Sequence, residues 1–355
     1  MSASDIRLAI VVPAYRARYL RRALASVAAQ SDRRFRLYVG DDSSPEALEP
    51  IVRSAAANCE TVYHRFPENL GGRSLVQQWD RCVRLSREPW VWVFSDDDVM
   101  EADCVAAFYR ELESTAGKYD LYRFDTLVVN AQDRVESVSP SHPVIESVLQ
   151  FAYHRLRGER HSTLQELVFS RAAYERVGGF VDFPHAWCSD DAGVILLAGQ
   201  TGIRTVPGPR IWFRLSGENL TTSYGNPGVD RGKRYALMAY VRWLMNHFQD
   251  ARDERLTLDA TMLKQAAERW FLGQCVNLGS TCTVAEAREL SAFMSEMWGG
   301  SASRHFMRFM RGNLRLLLKR ALAVRQRRAT GMQRAESLDA AVAGYAAASP
   351  RADMR

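Results

Sequence analysis

The chain has 355 residues, of which 47% are hydrophobic and 25% are charged, and its formal net charge at pH 7 is +6. This length predicts two domains, or one large domain with an appendage, and the composition excludes a wholly disordered, collagen-like or disulfide-knotted protein. The apolar runs are far shorter than the roughly 18 residues that span a bilayer, and the first residues show no secretory signal pattern. Because the six cysteines have no Cys-x-x-Cys spacing, we expect reduced thiols in a cytoplasmic protein without a zinc site or disulfide framework.

Strand and helix patterns alternate along the first 130 residues. Short strand-like runs are separated by segments with apolar residues three or four positions apart, which is typical of helices. The predicted strands are Leu8–Val12, Phe35–Val39, Thr61–Arg65 and Trp90–Phe94, and the predicted helices are Tyr19–Ala29, one that begins at Ser44, and one over residues 75–83. This alternation predicts an α/β fold with a mostly parallel sheet flanked by helices.

The remaining chain is less regular and then becomes helical. Two more strands are predicted, over residues 122–129 and 167–170, and helices are predicted over residues 235–247, 262–272, 284–298 and 303–328. We therefore expect a catalytic or binding domain over residues 1–228 and a helical C-terminal region over residues 229–330. Residues 331–355 are rich in Ala and Ser with few large apolar residues, and we expect them to be disordered.

Three of the predicted strands end in segments that interrupt the apolar pattern. These are Pro13-Ala14-Tyr15, Asp41-Asp42 and Asp96-Asp97-Asp98. Because parallel sheets bind ligands beyond the carboxyl ends of their strands, we expect these segments to converge on one edge. Three adjacent carboxylates repel one another in a cleft unless a cation lies among them. Mg²⁺ is commonly held by one or two carboxylates together with substrate phosphates. The alternative is an exposed acidic turn, with Asp41-Asp42 capping the next helix.

Two further segments have both a structural and a functional interpretation. Asn69-Leu-Gly-Gly-Arg73 is either a plain turn or a loop whose backbone approaches a ligand, with Arg73 placed to pair with phosphate. Asp190-Asp191 begins a helix, where acidic residues are favoured by capping and by the helix dipole. Because His185 and Trp187 precede this pair, it could instead supply a general base beside an aromatic platform for a sugar ring.

Taken together, these motifs resemble those of family 2 glycosyltransferases, which are nucleotide-sugar enzymes with the GT-A fold. The resemblance covers about residues 6–225. It is carried, in chain order, by Val11-Val-Pro-Ala-Tyr15, Asp41-Asp-Ser-Ser44, Asn69-Leu-Gly-Gly72, Phe94-Ser-Asp-Asp-Asp98, Gly178-Gly-Phe180 and Asp190-Asp191. It implies a GT-A-like fold for this part of the chain.

The resemblance also implies roles for individual residues. Those implied to bind the nucleotide are Pro13, Ala14, Tyr15, Asp41, Asp42, Arg73 and Asp96, with Asp42 favoured over Asp41 for the base. Asp97 and Asp98 are implied to bind Mg²⁺ or Mn²⁺, although Ser95 replaces the first Asp of the family's metal motif, which leaves the ligating carboxylate open. Asp191 takes the position of the catalytic base. Since Asp190 replaces the family's Glu, the choice between these two carboxylates stays open. Trp187 and His185 are candidates for acceptor binding.

The expected function is metal-dependent, inverting transfer of a sugar from a nucleotide-diphosphate donor, with UDP-sugars favoured. The expected acceptor is a hydroxyl of a glycan or of a lipid-linked glycan, in surface polysaccharide or glycoconjugate synthesis. The alternatives are a catalytically degenerate member that binds nucleotide or glycan, and a nucleotidyltransferase. A dinucleotide oxidoreductase is disfavoured because no Gly-x-Gly-x-x-Gly follows Val12.

The positive charge is concentrated in one segment of the C-terminal region. Residues Arg304–Arg328 contain nine Lys or Arg and no Asp or Glu; subtracting these nine charges from +6 leaves −3 for the rest of the chain. A uniformly basic nucleic-acid-binding protein is excluded by this distribution. Basic and apolar residues alternate at helical spacing, which predicts a basic amphipathic helix. It could lie on the inner face of an anionic membrane or pack on the protein with its basic side in solvent.

Overall fold

The computed structural model of the protein describes residues 7–217, 219–220, 223–253 and 258–329. The predicted tail over residues 331–355 lies outside the described residues. Two compact units are present. The first comprises Met1–Phe151, Arg160–Asp182 and Ser189–Ser216, and the second comprises Ala152–Glu159, Phe183–Cys188 and Gly217–Arg355.

The first unit contains a large sheet with helices packed against it. Its strands are β1 (Leu8–Ala14), β2 (Phe35–Asp41), β3 (Thr61–Arg65), β4 (Trp90–Val93), β5 (Val99–Met100), β6 (Leu121–Asn130), β7 (Val135–Val138), β8 (Ile145–Glu146), β9 (Leu167–Ser170) and β10 (Ile203–Leu215). The helices are α1 (Ala17–Ala28), α2 (Leu48–Ala55), α3 (Leu75–Val83), α4 (Cys104–Ser114), α5 (Val148–Leu156, which continues into the second unit), α6 (Arg171–Val177) and α7 (Ser189–Ala198).

The sheet is mostly parallel, as the sequence predicts. Its strand order is β3-β2-β1-β4-β9-β6-β10-β5, with β7 beside β6 and β8 beside β10. Strands β1 to β4, β6 and β10 run in one direction, whereas β5, β7, β8 and β9 run in the other. The expected α/β fold is therefore confirmed.

Burial on both faces explains why the first strands form the centre of this sheet. Residues 8–12 of β1 are fully buried, which agrees with their uninterrupted apolar sequence. Helix α1 turns Leu20, Leu24 and Val27 towards the core and its arginines outward. The ring of Trp92 on β4 stacks on Phe124 of β6, with 4.9 Å between their centroids, so the core continues across the antiparallel strand β9.

One helix start differs from the prediction. Helix α2 begins at Leu48 rather than at Ser44. The hydroxyl of Ser44 donates a hydrogen bond to the carbonyl oxygen of Tyr15 (2.6 Å) and accepts one from the backbone N–H of Glu46 (3.0 Å). Ser44 therefore closes a turn against the β1 loop, and this tertiary contact displaces the helix start that the Ser-Pro pair favours locally.

The second unit is helical, with one two-stranded ribbon. Its elements are α8 (Pro227–His247), β11 (Arg252–Asp253), β12 (Leu258–Asp259), α9 (Ala260–Asn277), α10 (Val284–Trp298) and α11 (Ala302–Ala329). The ring of Phe271 on α9 packs against Phe293 and Trp298 of α10 at centroid distances of 5.1 and 5.6 Å. The predicted helical C-terminal region is confirmed. Among the described residues, none of the helices has the length and apolar character needed to span a bilayer.

Candidate functional site

The segments at the carboxyl ends of β1, β2 and β4 converge on one edge of the sheet, as predicted. Parallel pairing aligns Ala14 at the end of β1 with Asp41 at the end of β2. The carboxylate of Asp96, just beyond β4, accepts hydrogen bonds from the backbone N–H groups of Tyr15 (3.0 Å) and Arg16 (3.3 Å). The first segment and the acidic triplet are therefore in direct contact.

Asp41 is a fully buried carboxylate that organises the tips of β2 and β3. It accepts hydrogen bonds from the backbone N–H of Ser44 (2.7 Å), the hydroxyl of Tyr63 (2.5 Å) and the guanidinium of Arg65 (2.7 Å). Burial and the bond to Asp41 raise the pKa of Tyr63 to about 12, which keeps this hydroxyl a donor. Its partners lie within the protein, so nucleotide binding by Asp41 stays a prediction.

Asp42 connects the β2 tip to the glycine-containing loop. Its oxygens accept the backbone N–H groups of Leu70 (2.7 Å) and Gly71 (2.9 Å), and the guanidinium of Arg81 on α3 pairs with it. A Cβ atom at position 71 would lie 2.6 Å from the Asp42 carboxylate, so only glycine fits this loop. Sequence reasoning missed Arg81, and its position 39 residues from Asp42 gave no local signal.

Arg73 lies at the surface of the same loop. Its guanidinium pairs with the carboxylate of Glu68 at 2.7 Å, and both side chains are more than 60% exposed. The exposed pair contributes little to stability, so Arg73 can exchange this partner for a ligand at small cost. Its role in binding diphosphate stays a prediction.

The acidic triplet combines crowded carboxylates with burial. Asp97 accepts a hydrogen bond from the hydroxyl of Ser95 at 2.5 Å. Burial raises the pKa of Asp96 to about 7, and the neighbouring charge of Asp97 adds to this rise. The same two causes raise the pKa of Asp98 well above its usual range. Negative charge at this position is therefore poorly compensated by the protein itself.

A divalent cation fits this donor set. Among the described residues, no group of three or more His, Cys, Asp or Glu side chains is arranged to hold a metal ion alone. Mg²⁺ and Mn²⁺ do not need such a group, because one or two carboxylates and the oxygens of a diphosphate complete their coordination. The crowded oxygens of Asp97 and Asp98 match this requirement, and a cation would offset the charge that raises the neighbouring pKa values.

Arg214 donates hydrogen bonds to the acidic triplet, and the sequence did not indicate this contact. It is 1% exposed at the end of β10, where its Nε donates to the carbonyl oxygen of Asp97 (2.7 Å) and its backbone N–H to the carboxylate of Asp98 (2.7 Å). The guanidinium also donates to the carbonyl oxygen of Asn130 (3.0 Å) and pairs with Asp133. Because Arg214 lies more than 110 residues from the triplet, no local motif indicates this contact.

Replacing Arg214 by Gln is expected to weaken Mn²⁺-dependent nucleotide binding by about 10- to 100-fold, the usual cost of losing a group that orients metal ligands. The measurement is calorimetric titration of Mn²⁺ in the presence of nucleotide. Asp133→Asn is the control, since it loses one partner of Arg214 but keeps the bond to Asp97, and we expect a smaller effect. Unchanged Mn²⁺ affinity in a folded Arg214→Gln protein would contradict this role.

Helix α7 carries the second acidic pair at its first turn. Asp191 is 1% exposed, and its backbone N–H donates to the carboxylate of Asp190 at 2.9 Å. The turn after α7 lies at the amino ends of the strands, because the hydroxyl of Thr201 accepts the backbone N–H of Asp120 (3.3 Å), which precedes β6. Since α7 leads back into β10 through this turn, its first residues point towards the carboxyl ends, where the triplet lies.

The segment before α7, Phe183–Cys188, belongs to the second unit. His185, Ala186 and Cys188 all have left-handed backbone conformations, with φ of 57°, 53° and 68°. Such conformations cost of order 1–3 kcal/mol each and persist only where packing enforces them. The ring of His185 lies against Gly232 of α8, where a Cβ atom would come within 2.2 Å of its Nε2. The sequence contains no pattern that predicts left-handed conformations at these three non-glycine residues.

The indole of Trp187 already has a cation against it. The ammonium of Lys233 lies 4.3 Å from its ring centroid and 4.5 Å from that of Tyr224. Lys233 is fully buried and donates to the carbonyl oxygens of Leu220 and Ser223, both at 2.7 Å. Burial lowers the pKa of this ammonium to about 8, although Asp230 opposes the shift. A sugar stacked on Trp187 would therefore need the part of the ring that Lys233 leaves exposed.

The fold and this edge define a class of protein: an α/β domain with a mostly parallel sheet whose carboxyl-terminal edge presents carboxylates and backbone loops to a ligand. Residues 9–155 match the family model described as "Glycosyl transferase family 2". The resemblance seen in the sequence is confirmed over these residues. None of the curated proteins matches the chain.

Comparison with solved structures supports the same fold. The crystal structure of S. aureus TarS 1-349 in complex with UDP-GlcNAc superposes with a TM-score of 0.54 and 13% identity, over 88% of this chain and 92% of that one. TarS 1-349 without a named ligand gives a TM-score of 0.50 and 13% identity, over 86% and 89%. The mannosyltransferase PcManGT from Pyrobaculum calidifontis in complex with GDP-Man and Mn2+ gives only 0.45 and 14% identity, over 87% of each chain. The TarS superpositions confirm the GT-A-like fold.

Proposed function

We propose that this protein transfers a hexosyl group from a nucleotide-diphosphate donor to a hydroxyl group in a metal-dependent displacement that inverts the anomeric centre. One observation carries the proposal: the β1 tip and the acidic triplet meet through the bonds from Tyr15 and Arg16 to Asp96. This contact joins a loop of backbone N–H groups to crowded carboxylates at the edge where such sheets bind ligands.

The donor would occupy the edge formed by the β1, β2 and β4 tips. In this proposal Pro13, Ala14 and Tyr15 lie along the nucleotide. A carboxylate oxygen of Asp42, which already accepts a backbone N–H of the loop, would accept a second hydrogen bond from the base. Asp97 and Asp98 would hold Mg²⁺ or Mn²⁺. Such a cation supplies positive charge that stabilises the departing diphosphate. UDP is the first nucleotide to test, because UDP-GlcNAc is the ligand of the similar TarS structure.

Asp191 would act as the general base. It takes the proton of the acceptor hydroxyl while the hydroxyl oxygen bonds to the anomeric carbon and the bond from that carbon to the diphosphate breaks. Attack opposite the leaving group inverts the configuration in one step. Burial favours Asp191 over Asp190, because the Asp191 side chain is shielded from water at 1% exposure.

The acceptor would be a glycan or a lipid-linked glycan, in the synthesis of a surface polysaccharide or glycoconjugate. The part of the Trp187 indole that Lys233 leaves exposed offers an apolar face for a sugar ring, and the exposed side chain of His185 offers a polar contact beside it. These two residues are our candidates for acceptor binding.

The decisive test is calorimetric titration of UDP, GDP, dTDP and CMP, each with and without Mn²⁺. We expect one of the diphosphates to bind in a Mn²⁺-dependent manner and Asp97→Ala to abolish this dependence. Glu113→Ala is the control, because this carboxylate is 65% exposed and pairs with Arg34 in the loop before β2, away from the proposed site. Absence of binding by all four nucleotides to folded protein would overturn the proposal and favour a degenerate member of the fold.

A further inference from the structure

The last described helix, α11, has two apolar sides instead of one. Its inner side holds His305 and Phe309, which are 4% and 2% exposed. His305 is hydrogen-bonded to the carbonyl oxygen of Gly299 at 2.8 Å. Gly312 lies so close to α9 that a Cβ atom there would come within 2.6 Å of Val276. This packing fixes the rotation of the helix about its axis.

The opposite side presents large apolar side chains to solvent. They are Met307, Met310, Leu314, Leu317, Leu318 and Leu322, which are between 42% and 59% exposed. At 3.6 residues per turn, these positions form one continuous stripe that faces away from His305 and Phe309. A contiguous apolar surface of this kind marks an interaction site in a globular protein. We call it the outer stripe.

Basic residues line one flank of the outer stripe. Arg304, Arg308, Arg311, Arg315 and Lys319 follow each other at spacings of three or four residues. Arg308 pairs with Glu268 of α9 at 2.6 Å. For the other four, no carboxylate within 4 Å is found among the described residues. The flank therefore offers four or five positive charges beside the apolar stripe.

We propose that the outer stripe and its basic flank dock α11 onto an anionic lipid surface, with the helix axis parallel to the membrane. The apolar side chains would enter the interface between headgroups and acyl chains, and the arginines would pair with lipid phosphates. A helix of 28 residues lies along about 42 Å of such a surface. This surface goes beyond the proposed transfer reaction and would bring the protein to acceptors carried by lipids.

Charge distinguishes the lipid surface from other occupants of the stripe. A second copy docked through the same stripe would bring two sets of like charges together, whereas anionic lipid supplies the opposite charge. A nucleic acid would pair with the arginines but leave the six apolar side chains in water. The other interpretation open from the sequence, a helix that packs on the protein with its basic side in solvent, leaves the exposed leucines and methionines unexplained.

The experiment is co-sedimentation of the full chain with vesicles of phosphatidylcholine alone or with phosphatidylglycerol at a ratio of 7 to 3. We expect binding to the anionic vesicles only. The triple variants Leu314→Gln/Leu317→Gln/Leu318→Gln and Arg311→Gln/Arg315→Gln/Lys319→Gln should each bind at least about tenfold more weakly. Raising the salt to 1 M, where the Debye length falls to about 3 Å, should weaken the electrostatic contribution to vesicle binding.

The matched control is Val135→Gln/Val138→Gln, which removes two apolar side chains that are 53% and 57% exposed on β7 and should leave vesicle binding unchanged. Helix content and melting temperature verify that each variant is folded. No binding of the native chain to anionic vesicles, or binding by both triple variants that is as strong as that of the native chain, would overturn the proposal. Self-association that the leucine variant abolishes would overturn it in favour of a second copy. Because nucleotide binding is measured separately, failure here is distinguishable from failure of the proposed transfer reaction.

Discussion

Replacing Asp191 by Asn is expected to lower the rate of sugar transfer by about 10²- to 10⁴-fold, the usual contribution of a general base. The amide keeps the size of the side chain but cannot take the proton of the acceptor hydroxyl. Donor affinity should remain close to that of the native protein, because the proposed nucleotide and metal residues lie on the β1, β2 and β4 tips. The measurements are initial rates of sugar transfer and calorimetric titration of the donor nucleotide.

Asp190→Asn is the matched control for this prediction. Its carboxylate accepts the backbone N–H of Asp191, a contact that the amide oxygen of Asn preserves. We therefore expect Asp190→Asn to retain most of the activity. If Asp190→Asn lost activity while Asp191→Asn retained it, the roles of the two carboxylates would be reversed. Near-native turnover of both variants would rule out this helix as the source of the base.

The position of the candidate site was predictable because strand ends are marked locally in the sequence. Apolar runs that stop at Pro13, Asp41 and Ser95 indicate where buried strands emerge, and parallel pairing then brings these ends together without further information. Parallel pairing would bring these strand ends together whatever side chains they carried. What it predicts is therefore the edge of the sheet, not the contacts made there.

The contacts within the site were not predictable, because they join residues far apart in the chain. Arg214 reaches Asp97 from 117 residues away, and Arg81 reaches Asp42 from a neighbouring helix. Neither arginine belongs to a local pattern that distinguishes it from the other basic residues of this chain. The strand over residues 167–170 was predicted, but its antiparallel place between β4 and β6 was not, since pairing order depends on which apolar faces meet in the folded state.

A buried ion pair away from the candidate site gives the largest expected effect on stability. Arg123 on β6 and Glu146 on β8 are each 1% exposed and pair at 2.6 Å, and Arg160 donates to the other oxygen of Glu146 at 2.9 Å. Burial lowers the pKa of Arg123, and the charge of Glu146 opposes that shift. Because an Arg guanidinium stays protonated in proteins, the carboxylate supplies the opposite charge that this buried cation needs.

Replacing Glu146 by Gln should lower the free energy of unfolding by about 3–5 kcal/mol, because it leaves a buried charge without compensation. Glu49→Gln is the matched control. It breaks the pair with Arg53 on α2, and because these side chains are 46% and 78% exposed, the loss of stability should be far smaller. Urea-induced unfolding of the two variants measures both values. Equal urea midpoints for the two variants would mean that water or a neighbouring group compensates the charge of Arg123. A much lower midpoint for Glu146→Gln would confirm that the burial of an ion pair sets the cost of breaking it.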